Sequence, residues 1–191
     1  MSTPIEMHCP HAQATVDFLQ TAGLKVEAKP GASGFSDGVE IASGGLLVDP
    51  SAQASNILHE AGHCAIVPEQ FRHLLNGDLM EGMQQIHQEM AALALHPDHP
   101  LERAVVQASD PEATAWAFAA GRAIGLADEV TIRDIDYDGE GEFIRQGLSL
   151  GAYIGINGLS HGGFCQLRPL PNRGLPIYPN LAFWLQPRIS V

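Results

Sequence analysis

The stretch His59-Glu60-Ala61-Gly62-His63 predicts most about the fold and the chemistry of this chain. Residues four apart share one face of a helix, so both imidazoles can bind one metal ion while Glu60 stands beside its open coordination position. The flanking residues 57–58 and 65–67 are apolar and predict a buried helix. Histidine and glutamate side chains are costly to bury there unless they are paired or bound to a metal. The pattern therefore predicts a Zn²⁺ site with His59 and His63 as ligands and Glu60 as general base.

Gly62 adds a second prediction within the same stretch. A glycine inside a helix costs about 1 kcal/mol relative to alanine, so a glycine kept between the ligands needs a reason. Close approach of another backbone or helix is such a reason. We therefore expect a second helix to pack tightly against the helix that carries the motif.

Acidic residues provide the candidates for the third metal ligand. A catalytic zinc site uses three protein ligands and keeps one position open, and residues 109–120 supply two carboxylates for the third place. Glu112 shares a helical face with small alanines, and Asp110 is a close rival. Glu89, in the preceding predicted helix, is a weaker one. Asp-Pro-Glu is also an ordinary helix start, in which Asp caps and Glu complements the macrodipole, so the residues leave Glu112 and Asp110 both open.

Composition and charge narrow the class of protein. A chain of 191 residues with 45% apolar residues is large enough for one domain with its own core. Ten Lys and Arg against 22 Asp and Glu give a net charge of −12, which argues against a nucleic-acid partner. No basic segment followed by an apolar run opens the chain, and no run of about 18 apolar residues occurs. We expect a cytoplasmic protein that does not bind a membrane.

Periodicity and turn residues predict a single α+β domain over residues 1–191. Residues 24–28 and 39–48 predict a small sheet with glycine-bearing turns, and 130–135 a further strand. Asp49 and Pro50 predict the start of the motif helix. Residues 136–142 predict an acidic loop, and the Gly/Pro-rich segment 143–191 is expected to wrap the domain and line the cleft. The other predicted helices are 10–22, 69–75, 80–96, 101–108 and 111–124.

The motif residues, followed by Cys64 and Ala65, resemble the active-site helix of zincin metallopeptidases. Among these, the membrane AAA-type proteases also commonly read H-E-A-G-H. The segment Asp110-Pro111-Glu112-Ala113-Thr114 is similar to their downstream acidic ligand segment, which favours Asp110. The order of sheet, motif helix and later acidic helix also resembles the compact ImmA/IrrE-type gluzincin domain, whose third ligand is a glutamate before an alanine-rich run. That second likeness favours Glu112.

The resemblance covers about residues 38–126. It implies a zincin-like fold, in which a small antiparallel or mixed sheet packs on the active-site helix and further helices. The chain departs from these families because it has no ATPase module and a longer interval between His63 and Glu112 than the compact domain. The implied activity is zinc-dependent hydrolysis of peptide bonds in a peptide or protein substrate.

Such hydrolysis needs a hydrogen-bond donor for the developing oxyanion as well as the base Glu60. His161 is the first candidate, because the glycines around it predict a flexible loop. Tyr153 and Tyr137 are the other candidates in the later part of the chain.

Other interpretations of the potential metal ligands remain possible at this point. A zinc-binding regulatory or interaction protein with a zincin fold but no turnover would show the same motif. A metal-dependent amidase of the deformylase class would take a cysteine as its third ligand, for which Cys9 is available. Residues 7–11 could also form a second small metal cluster around Cys9. A calcium loop beginning at Asp134 is excluded, because Arg145 occupies the position that requires a bidentate glutamate.

Overall fold

The apolar runs that predict strands pair in one small sheet. In the computed structural model, which describes residues 5–169 and 174–191, the sheet contains β1 (Val26–Ala28), β2 (Val39–Ala42) and β3 (Gly45–Val48). The strand order is β1-β3-β2, with β1 parallel and β2 antiparallel to the central β3. The predicted mixed sheet is confirmed.

Helices form most of the remaining regular structure, and those up to residue 123 follow the predicted order. The helices at 141–149 and 155–161 are not among those predicted, and they occupy the end of the expected acidic loop and the start of the Gly/Pro-rich segment. Together with the sheet, the helices confirm the α+β class. None of the helices in the described part of the chain is long and apolar enough to span a membrane. The helices are α1 (Pro10–Thr21), α2 (Ala54–Ile66), α3 (Glu69–Arg72), α4 (Leu79–Leu93), α5 (Pro100–Val106), α6 (Asp110–Ala123), α7 (Asp128–Thr131), α8 (Gly141–Ser149) and α9 (Gly155–His161), with a 3-10 helix at Asp134–Tyr137.

The motif helix begins later than the sequence predicts. Asp49 forms a turn instead of starting α2, because its carboxylate accepts hydrogen bonds from the backbone of Ser51 at 2.8 Å and of Gly31 at 2.6 Å. The Ser51 hydroxyl also donates to Asp49, and these bonds lower the pKa of the Asp49 carboxyl to about 2. The expected start of the motif helix at Asp49 and Pro50 is therefore wrong, and α2 starts at Ala54.

The predicted strand at 130–135 is also wrong. Residues 128–131 form α7 and residues 134–137 form the 3-10 helix, which also replaces the first part of the predicted acidic loop. Asp128 and Glu129 lie in the first turn of α7, where negative charge favours a helix N-terminus. Thr131 is buried against Gly121 of α6, so tertiary packing overrides the strand propensity of the β-branched residues.

The core forms around α2, which packs against α6, α1 and the sheet. Ile57, Leu58 and Ala61 of α2 are fully buried. On α6, Ala113 and Ala117 present small side chains that let the two helices approach. A Cβ atom at Gly62 would lie 2.6 Å from the carbonyl oxygen of Ala113, which explains the glycine in the motif.

Gly62→Ala is expected to destabilise the fold by about 1–3 kcal/mol, because the added methyl group meets backbone atoms that cannot rotate away. Its matched control is Gly147→Ala in α8, where the new Cβ lies 3.7 Å from Tyr153 in ordinary contact. Alanine has the higher helix propensity, so this control is expected to gain up to about 1 kcal/mol. Urea unfolding of both variants measures the difference. Equal stability of Gly62→Ala and the parent chain would contradict the close packing.

The C-terminal segment crosses α2 and α6 after α9. The indole of Trp116 donates to the carbonyl oxygen of Trp184 at 2.9 Å, and the backbone N–H of Gln186 donates to Ala65 at 2.8 Å. Arg72 adds a hydrogen bond to the carbonyl oxygen of Gln186 at 2.7 Å. This part of the chain wraps the helices as expected, but the described residues lining the cleft beside the metal-ligand candidates all precede 143.

Candidate metal centre

Two helices bring together three side chains that could hold a metal ion. His59 and His63 are four residues apart on α2, and Asp110 is the first residue of α6, which packs directly on α2. The Nε2 atom of His59 lies 3.2 Å from Oδ1 of Asp110 and 3.3 Å from Nε2 of His63. His63 Nε2 lies 3.6 Å from the same Asp110 oxygen. Within residues 5–169 and 174–191, no other group of three or more His, Cys, Asp or Glu residues has its ligand atoms within 4.8 Å of one another.

The spacing of these three atoms suits a zinc ion. Bonds of about 2.0–2.1 Å in tetrahedral geometry place neighbouring ligand atoms about 3.3–3.4 Å apart. The three distances lie within a few tenths of an ångström of that separation. Two imidazoles and one carboxylate are also a donor set that zinc accepts and that leaves a fourth position open.

Asp110 sets the electrostatics of the cluster. The hydrogen bond to His59 and the imidazole of His63 close by hold the pKa of its carboxyl far below the usual range, so the carboxylate is ionised. Burial alone would lower the pKa of His59, but the hydrogen bond and charge of Asp110, with Glu60 and Asp136, raise it on balance. The negative charge that favours a proton on His59 would equally favour a divalent cation between the same atoms.

Glu60 lies beside this cluster and faces the cleft. Its side chain is 3% exposed, and it lines the same cleft as His63 and Asp110. The hydroxyl of Ser36 donates a hydrogen bond of 2.6 Å to Oε1 of Glu60. The carboxylate is thus fixed in one orientation by a loop that precedes β2.

Glu112 is not part of the cluster. It is buried at the start of α6, accepts a hydrogen bond from the hydroxyl of Ser109, and packs against Gly158 of α9. A Cβ atom at Gly158 would lie 2.3 Å from Glu112, so the two helices meet at this carboxylate. Of the rivals for the third ligand position, the structure places Asp110 at the histidines and Glu112 in a helix contact. Glu89 lies exposed on α4.

The fold separates His161 from Tyr137, two of the candidate hydrogen-bond donors for the oxyanion. His161, the first choice from the sequence, is exposed at the end of α9 and lines a second cavity of about 540 Å³ with Arg103. None of the three cluster residues lines that cavity. Tyr137 instead lies at the cluster, with its ring centre 6.4 Å from that of His59.

The phenol of Tyr137 is a hydrogen-bond donor at neutral pH. Burial raises its pKa well above the usual value, so the hydroxyl keeps its proton. Its oxygen lies 3.3 Å from Oγ1 of Thr114. Burial likewise raises the pKa of Tyr153, which also interacts with Thr114.

Ser36 and its neighbour Phe35 are site residues that the sequence reasoning missed. They lie in a short loop closed by a bridge between Ser33 and Asp37, and Phe35 is 89% exposed on the cleft. Glycines at 31, 34 and 38 lie within or beside the loop, and they indicate turns without indicating a functional loop. Only the fold brings this loop to Glu60.

Cys9 stays apart from the metal-binding group. It lies at the N-cap of α1 and is half-buried, and it is absent from the cluster formed by the described residues. Neither the second metal cluster at 7–11 nor the cysteine-ligated amidase site gains support from its position.

Comparisons with family models, with curated proteins and with solved structures found no significant match to this chain. The membership of a zincin family therefore stays a prediction. The site has to be interpreted from its own geometry.

Proposed function

We propose that this chain is a zinc-dependent peptidase with a zincin-like fold, in which His59, His63 and Asp110 bind Zn²⁺ and Glu60 is the general base. The observation that carries the proposal is the spacing of the three donor atoms, 3.2–3.6 Å apart, with His63 and Asp110 on the wall of an open cleft. A buried glutamate beside them supplies the base that hydrolysis requires. The choice of Asp110 over Glu112 follows from the same distances.

Zn²⁺, when bound, supplies Lewis acidity towards water and towards a peptide carbonyl. Glu60 accepts a proton as water attacks the carbonyl carbon, and it returns that proton to the amine nitrogen as the C–N bond breaks. Ser36 holds Oε1 of Glu60, so Oε2 is the oxygen that carries the proton. The phenol of Tyr137, which lies at the cluster, is the candidate donor for the developing oxyanion.

The proposal is tested by zinc content and by hydrolysis measured on the same purified chain. We expect one zinc per chain by plasma mass spectrometry and cleavage of a fluorescence-quenched peptide library. A chelator is expected to abolish cleavage, and added zinc to restore it. Failure to bind one equivalent of zinc at this site would refute the metal centre and with it the peptidase.

A zinc-binding protein without turnover is the second candidate. One observation favours it: Glu60 is nearly fully buried and already hydrogen-bonded by Ser36, as a purely structural carboxylate would be. In that case one zinc would bind and raise the melting temperature, but no peptide in the library would be cleaved. The two measurements together therefore separate the two functions.

A further inference from the structure

A large cleft leads away from the metal-ligand cluster. Its volume is about 1550 Å³, and its walls are β2 with the loop before it, part of α2, helix α4, and the segment from the end of α5 to the start of α6. Glu60, His63 and Asp110 lie on its wall. A molecule bound along this cleft would therefore reach the proposed base.

The cleft exposes large apolar side chains to solvent. Phe35 is 89%, Met80 80% and Val106 58% exposed, and all three lie on its lining. Leu79 and Met83 of α4 line the same surface at partial burial. Large apolar side chains that stay exposed along a cleft lined also by polar residues favour a binding site.

The formally charged residues that line the cleft are all acidic. Apart from Glu60 and Asp110, its lining includes Asp78, Glu81 and Glu40, and none of the described lining residues is Lys or Arg. Lys29 pairs with Glu40 at 2.5 Å, which leaves Asp78 and Glu81 as exposed negative charges near Met80. With a net charge of −12 on the chain, this surface favours positively charged groups.

The neighbouring strand offers a bound chain few backbone hydrogen bonds. In β2, the N–H of Val39 already donates to Ser36 at 3.2 Å, and the carbonyl oxygen of Ile41 accepts from Gly77 at 2.8 Å. Addition of a further strand along β2 would compete with both bonds. Recognition in the cleft therefore depends chiefly on side chains.

We propose that the cleft binds polypeptide segments in which large apolar side chains are flanked by Lys or Arg. Apolar side chains of the segment contact Phe35, Met80 and Val106, and its basic residues lie near Asp78 and Glu81. This inference rests on the proposed peptidase function, since it names the class of substrate that reaches Glu60. It also predicts that acidic or purely polar segments bind weakly.

Binding is measured by fluorescence anisotropy on the zinc-loaded full-length Glu60→Gln variant, so that hydrolysis does not enter the measurement. Three labelled peptides are compared: an apolar core with Lys and Arg flanks, the same core with Glu and Asp flanks, and a Ser/Gly core with Lys and Arg flanks. The first is expected to bind at least about tenfold more tightly than either of the others. Raising the salt concentration is expected to weaken the first peptide and to affect the second in the opposite direction.

Matched surface variants locate the binding. Phe35→Ser is expected to weaken binding of the first peptide about tenfold or more, whereas Phe143→Ser, at a phenylalanine on α8 that is 75% exposed, leaves it unchanged. Glu81→Gln should reduce the preference for basic flanks, and Glu142→Gln on α8 should not. Both residues of each pair are exposed, so loss of folding does not account for a difference.

Equal affinity for all three peptides, or equal effects of Phe35→Ser and Phe143→Ser, would overturn this assignment of the cleft. That result leaves the peptidase proposal standing, because zinc content and library cleavage are measured separately. Selective binding without any library cleavage would instead support the cleft and reject the peptidase.

Discussion

Replacement of Glu60 by Gln is expected to lower peptide hydrolysis by about 10²–10⁴-fold while one zinc ion stays bound. The amide has the shape of the carboxylate and can still accept the hydrogen bond from Ser36, but it cannot take a proton from water. Because Glu60 is not one of the three cluster residues, zinc content should not change. Initial rates with the cleaved library peptide and zinc content by mass spectrometry measure both parts.

The control for this variant is Glu89→Gln. Glu89 is exposed on α4 and does not line the cleft, so the same chemical change there should leave hydrolysis and zinc content at the level of the parent chain. If Glu60→Gln hydrolyses peptides at the parent rate, another group is the base and the proposed mechanism fails. If zinc is lost together with activity, Glu60 contributes to the metal site itself.

The sequence predicts the motif helix, the sheet and most other helices because their patterns are local. Apolar spacing specifies α2, and glycine-bounded β-branched runs specify the strands. The wrong predictions arise where contacts between residues far apart in the sequence determine the local structure. Asp49 bonds to Gly31 across the chain, and Thr131 packs under Gly121, and neither contact leaves a pattern in the neighbouring residues.

The sequence also does not decide the third ligand, although both candidates lie within one helix turn. Asp110 and Glu112 are two residues apart, and the face of α6 that meets α2 decides which of them reaches the histidines. Helix α9 packs on the start of α6 and takes up Glu112, because Gly155 fits against Pro111 and Gly158 against Glu112. The glycines around His161 predict a flexible loop, which is wrong: residues 155–161 form α9, and Gly158 serves this helix contact. A single sequence does not reveal which use a glycine has.

Asp110→Asn is expected to weaken zinc binding by at least about 100-fold, whereas Glu112→Gln should change it only a few-fold. Loss of a residue that merely orients a ligand costs roughly 10–100-fold in affinity, so loss of a ligand costs more. The neutral amide also removes the negative charge that lies 3.2 Å from His59. Glu112→Gln keeps an acceptor for Ser109 and lies outside the cluster.

Both variants are isosteric and lie in the first turn of α6, so each serves as the control for the other. Competition with a chromophoric chelator gives the two zinc affinities. The same difference should appear in the melting temperature at fixed zinc, since a hundredfold loss of affinity removes about 2.7 kcal/mol of zinc-dependent stabilisation. The reverse order, with zinc lost in Glu112→Gln and kept in Asp110→Asn, would require α6 to turn its other face to α2. The metal site would then resemble that of the ImmA/IrrE-type domain, which uses a glutamate ligand. It would not resemble that of the AAA-type proteases, whose acidic segment favours Asp110.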